Sequence, residues 1–277
     1  MKAALWGKEL CGDVMGAGLT GHGVSAGAQG ESLEYFQDVY FRLEAEALGD
    51  LRRGADWLAT GFTMFTVALA AFFALEYLAV TAQGSNAGAW EYVLMYAVVV
   101  SLLLALAYVL KGVTPTRRGF KGLGYLGVYR GRGATAGAAL TAAGFVALTI
   151  WLVGLEVVMN SVGNAYFLPF AITLFVILLT VAAGGLLVSL GHRRCGALYD
   201  TAQLRQGGTV ALIGFVVYLV TAAALGGFIG PVYLLAMAPL VGAVVAALEV
   251  GGVLVGTVGL FMVREGYDYL LATRAGQ

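Results

Sequence analysis

Along the chain, apolar residues gather into six blocks bounded by charged or turn residues, at 57–81, 90–110, 134–158, 167–190, 209–229 and 239–263. Each block is about the length that crosses a hydrocarbon core roughly 30 Å thick, which takes around 20 helical residues at about 1.5 Å each. The pattern predicts an all-α, polytopic membrane protein with six transmembrane helices in three helical hairpins. The stretch 230–238 can form an outer interfacial turn or lengthen the sixth helix, because Pro231 and Pro239 both permit a break.

The polar positions set the orientation. Lysine and arginine near helix ends are retained on the cytoplasmic side. Lys2, Lys8, Arg42, Arg52 and Arg53 precede the first block, and Lys111, Arg117, Arg118, Lys121, Arg130 and Arg132 fill the second loop. Arg193, Arg194 and Arg205 lie in the fourth loop, Arg264 and Arg274 in the tail, and the other three loops hold no basic residue. A wrong span count would scramble this partition, so it predicts six spans and an N-in/C-in topology together. Trp57 and Trp90 at span starts, with Tyr166 and Tyr233 near outer ends, suit interfacial anchoring.

The same reading divides the chain into a Gly-rich cytoplasmic segment at 1–30, a cytoplasmic amphipathic helix at 31–56, the six-helix domain at 57–263 and a cytoplasmic tail at 264–277. In the amphipathic segment Leu33, Phe36, Tyr40, Leu43, Ala47 and Leu51 recur at helical spacing, with Glu34, Asp38, Arg42, Glu46 and Asp50 mostly on the rest of the wheel. An acidic polar side is unsuited to anionic lipid and points to packing against basic loops, of this chain or of a partner.

The hairpins echo one another. A basic residue and a glycine precede each odd span, at Arg53-Gly54, Arg132-Gly133 and Arg205 with Gly207, and Gly-Phe follows at Gly61-Phe62, Gly144-Phe145 and Gly214-Phe215. In the even spans Gly184-Gly185 to Ser189 can be laid over Gly251-Gly252 to Gly256. Units of this kind are parallel repeats, unlike the inverted repeats of many transporters.

Composition narrows the class. Apolar residues make up 60% of the chain and charged residues 12%, against roughly 45–50% and 25% in soluble domains, so a soluble fold would lack a surface. Sixteen basic and sixteen acidic residues give no pull toward nucleic acid. Cys11 and Cys195 both fall on the expected cytoplasmic side and read as free thiols. The first thirty residues lack the apolar run of a secretory signal, so the start is expected to be retained.

Candidate chemistry is sparse. His22 and His192 are both expected outside the spans, which excludes bis-histidine haem ligation across the membrane, and no lysine lies in a span to carry a retinal-type Schiff base. No Ser/His/Asp set, zinc cluster or Walker loop occurs. The expectation is no cofactor, no metal and no enzymatic activity. Gly122-Leu-Gly124-Tyr-Leu-Gly127 spells G-x-G-x-x-G but lacks the strand–turn–helix frame of a dinucleotide site. The surrounding residues Arg117, Arg118, Lys121, Arg130 and Arg132 form a flexible basic loop in this reading, suited to lipid phosphates or a partner.

Glu249 is the one ionisable residue well inside a span, about 21 Å from its cytoplasmic end by helical rise. It should face protein or water, and Gly242, Ala246, Gly252 and Gly256 share its face. It reads either as a proton or cation carrier or as a structural carboxylate at a helix contact. Glu76 and Glu156, nearer the outer interface, join it as candidates toward an outer mouth.

The stretches GG-LLVSLGHRR-GALYD, QGGTVALIG and GGVLVGTVGLFMVREG, within Gly/Ala/Val-rich spans, resemble archaeal multi-spanning membrane proteins grouped as a family of unknown function, over about 57–266. The resemblance brings no catalytic residue with it. Sparse Asn, Gln and Lys with arginine preferred is compatible with a thermophilic source. The function expected is a non-catalytic subunit or scaffold of a larger complex in the cell membrane, contacting lipids and either partner subunits or further copies of itself. The alternative is a small-solute or ion transporter using Glu249.

Overall fold

A computed structural model describes residues 26–81, 88–161, 167–225, 234–235 and 237–275. These residues form six long helices: α1 (Ala26–Thr81), α2 (Gly88–Tyr125), α3 (Arg132–Ser161), α4 (Phe167–Leu198), α5 (Ala202–Leu225) and α6 (Pro239–Ala275). All six contain a stretch long and apolar enough to cross a membrane. Tyr166, Pro231, Tyr233, Cys11, His22 and nearly all of the Gly-rich segment 1–30 lie outside the described residues. The chain forms two compact units, residues 1–42 and residues 43–277, and the six-helix bundle belongs to the second.

In lipid, helices gain little from hiding apolar surface from one another, so close backbone approach at small residues carries their association. The bundle does this three times at equivalent positions. In the first hairpin, a side chain added at Gly54 or Gly61 of α1 would collide with Thr116 or Val109 of α2, and one at Gly112 or Gly119 of α2 would strike Leu58 or Leu51. In the second, Gly137 and Gly144 of α3 abut Val188 and Val181, while Gly184 and Gly191 of α4 abut Thr141 and Ala134. In the third, Gly207 and Gly214 of α5 abut Val263 and Gly256, while Gly259 and Gly266 of α6 abut Ala211 and Leu204. The two glycines of each pair are seven positions apart in every helix, about two helical turns, so both fall on one face.

Superposed on these glycines, the hairpins bring equivalent residues together at the centre. Phe62, Phe145 and Phe215, each following the second glycine of an odd helix, pack edge to face, with ring centroids 5.7 Å apart for Phe62–Phe145 and 4.8 Å for Phe62–Phe215. Phe120, His192 and Tyr267, each following the second glycine of an even helix, form another layer, with 5.2 Å between Phe120 and His192 and 5.6 Å between His192 and Tyr267. Ion pairs Arg52–Asp268 and Arg264–Asp56 join α1 to α6, first hairpin to last.

Five expectations change. The predicted boundary at residue 57 is no break in the helix, because α1 runs through it, and Arg52 and Asp56 beside it are paired with α6. The buried face of this segment carries Glu44, Ala47, Leu48, Leu51 and Ala55, while Phe36 and Leu43 are exposed, so the amphipathic wheel is turned from the one expected. The basic loop at 111–133 is mostly helix, since α2 continues to Tyr125 with Pro115 inside it, and only 126–131 link it to α3. The tail 264–277 is helical through Ala275. The glycine contacts also align Gly184 with Gly259, eight positions beyond the match to Gly251 read from the sequence.

The G-x-G-x-x-G run proves to be a helix stop. Gly127 has φ +72°, Val128 N–H donates to Leu123 C=O at 3.0 Å and Gly127 N–H to Gly124 C=O at 3.2 Å. That is the Schellman pattern, in which a left-handed glycine satisfies the last carbonyls of a helix.

Candidate functional site

Hydroxyl groups inside the bundle are mostly discharged onto their own helix. Thr66, Thr116, Thr141, Ser189 and Thr257 each donate to the carbonyl four residues back, at 2.8–3.0 Å, a local bond that leaves no polar group facing the core. Against that background two groups stand out. Glu249 of α6 and Tyr218 of α5 are each 1% exposed, and Glu249 Oε1 and the Tyr218 hydroxyl are buried without a hydrogen-bond partner.

The glycine seam places them about one helical turn apart. Gly252, one turn from Glu249 on the same face, lies against the Tyr218 backbone, and Gly256 abuts Gly214 of α5. The Tyr218 hydroxyl makes no hydrogen bond to the carboxyl, and among the described residues no ion pair reaches Glu249. Phe65 of α1 closes the far side, its ring 6.4 Å from that of Tyr218. A charge in such a place costs from about 2.5 kcal/mol upward in a bilayer. The arrangement can hold a neutral carboxylic acid beside a phenol, or a carboxylate whose counter-ion comes from outside the chain.

The other sequence candidates are dispersed. Glu76 lies eleven residues past Phe65 on α1, about 16 Å of helical rise from the level of Tyr218. Glu156 falls in the last turns of α3, and its side chain lies outside the described residues. Gly252 and Gly256 line the α5 contact, whereas Gly242 abuts Leu234 and Leu235, whose turn leads into α6 through a Gly242 N–H bond to Ala238 C=O. Leu235 is buried with Phe73 and Ala246, so within 230–238 the described residues form a packed turn. Arg117, Arg118, Lys121, Arg130 and Arg132 are all exposed, on α2, the link and the start of α3. Among the described residues, no three His, Cys, Asp or Glu side chains converge as a metal site would require.

A polar cluster at the basic end escaped the sequence reading. Glu44 is 4% exposed, accepts a 2.7 Å hydrogen bond from the Tyr199 hydroxyl and pairs with Arg274. The Arg274 guanidinium lies 5.0 Å from the Tyr199 ring centre. Burial first, then the hydrogen bond to Glu44, pushes the Tyr199 hydroxyl well above its ordinary pKa, and burial likewise raises Tyr129. Nearby, His192 Nδ1 is 2.9 Å from the Tyr267 hydroxyl, with Nε2 buried and unpartnered, and Cys195 is a buried free thiol. Glu44 is not among the positions singled out on the expected amphipathic wheel. The available signal was its place one turn before Leu48 and two before Leu51, on the face that the glycines of α2 meet.

The family model described as a protein of unknown function (DUF973) matches residues 44–237, well over half of the chain. The match begins at Glu44 and ends before α6, so Glu249 lies outside it. No curated protein and no solved structure matches the chain.

Proposed function

The chain belongs to the DUF973 family, whose description assigns no function, and from that premise we propose that it is a non-catalytic integral membrane subunit or scaffold of a larger complex in the cell membrane, with the basic end and both termini cytoplasmic. One observation carries this reading. At the start of α1, Tyr35, Phe36 and Phe41 are 68%, 60% and 59% exposed. They precede the first apolar block by at least 16 residues and lie beyond a charged stretch that includes Arg52 and Arg53. A helix that exposes aromatic side chains on several sides outside the hydrocarbon needs a protein surface to cover them.

Asp38 among these aromatics and Glu31 and Glu34 before them favour a partner surface that is both basic and apolar. The bundle supports a static role: its axis is filled by Phe62, Phe145 and Phe215, and its hairpins are joined where no side chain fits.

Photo-cross-linking tests the reading. A benzophenone amino acid placed at position 36 or 41 in the native membrane is expected to give one discrete protein adduct of defined mass. Adducts to lipid alone, or none, would contradict it. A second reading, a small-solute or ion transporter, draws on the buried, unpartnered carboxyl of Glu249. It requires that Glu249→Gln abolish flux in vesicles while the protein stays inserted.

A further inference from the structure

The threefold equivalence of the hairpins gives an internal control for every buried residue. Counting from the matched glycines, Tyr218 of α5 occupies the place of Phe65 in the first hairpin and Leu148 in the second. Glu249 of α6 occupies the place of Leu102 and Leu174. All four counterparts are buried and apolar. The fold therefore builds these positions twice from hydrocarbon alone, and the third time they carry a carboxyl and a phenol, each with a buried atom left unpartnered.

A polar pair that served packing would be bonded within the protein, as the neighbouring threonines are, because an unsatisfied buried group destabilises the state that holds it. Its retention at one of three equivalent levels points to a ligand. The ligand has to be very small, since the α5 and α6 backbones meet within one turn, at Gly252 against Tyr218. A metal ion would need several more oxygen ligands, whereas α1 contributes Phe65 and Leu69 to this core and α5 contributes only Tyr218 as a titratable group. Among the described residues no lysine or arginine forms an ion pair with Glu249.

We infer that Glu249 is a reversible proton-binding site within the third hairpin. The carboxylate takes a proton from water to become the neutral acid and returns it as the carboxylate. This function is independent of the subunit reading, and either can fail without the other.

Infrared spectroscopy of the full chain in lipid bilayers tests the site directly. The wild type should show a protonated-carboxyl C=O band that is lost in Glu249→Gln, retained in Glu76→Gln and reversibly abolished at alkaline pH. No band lost in Glu249→Gln, or a Glu249 band that persists at every pH the protein survives, would overturn the proposal. The double variant Tyr218→Phe/Glu249→Leu copies residues of the first hairpin and should melt at or above the wild-type temperature. A double variant that cannot be purified folded, or that melts well below wild type, would mark the pair as structural and overturn the proposal as well.

Discussion

At the scale of single residues, the buried acid Glu44 is held by two partners that arrive from different helical hairpins, Tyr199 after α4 and Arg274 at the end of α6. Removing one member of a buried ion pair leaves the other unpaired. With Arg274 about one-third exposed, the cost of Glu44→Ala should be roughly 2 kcal/mol, below the 3–5 kcal/mol of a fully buried pair. The lowered thermal midpoint of the purified variant measures it. The raised pKa of Tyr199 gives a dependence on pH with a definite sign. Its folded pKa lies above the unfolded value of 10.0, so its contribution is complete below that pH. Above it the unfolded state loses protons while the folded state keeps them, and stability falls. The midpoint should therefore drop above about pH 10, and more shallowly in Tyr199→Phe.

At the scale of elements, the apolar blocks made six helices legible, because a span of about 20 apolar residues has few other fates. Where the helices end was not legible. Charged runs such as Arg117, Arg118 and Lys121 look like loop from the sequence, but they occupy the exposed side of a helix that continues to Tyr125. The repeat was half legible: Gly-Phe marked the odd helices correctly, while the even helices needed the contacts of Gly112, Gly184 and Gly259 to fix their register. Glu249 announced itself as a lone charge in a span, but Tyr218 did not, since a tyrosine among apolar residues is unremarkable until its counterparts Phe65 and Leu148 are known. Helix stops offer a sharp test. Gly127, at φ +72°, adopts a conformation that costs other L-residues roughly 1–2 kcal/mol, so Gly127→Ala should lower stability by about 1 kcal/mol. Asp200, at φ 50° at the end of α4, is of a type that tolerates this region, and Asp200→Gly should stay within about 0.5 kcal/mol of wild type. Chemical denaturation of both variants in the same detergent decides the comparison.

At the scale of the whole molecule, three glycine-joined hairpins pack around aromatic layers in one bundle, closed by ion pairs between α1 and α6. The basic side chains of the bundle gather at one end, where α2, α4 and α6 run past their apolar blocks. The most direct test is the mass of the intact particle extracted from the source membrane in mild detergent. The subunit reading predicts a defined hetero-complex, heavier than the 28.8 kDa chain by at least one other protein, and its dissociation by Phe36→Asp with Phe41→Asp. A particle containing only this chain, unchanged by those substitutions, would contradict it.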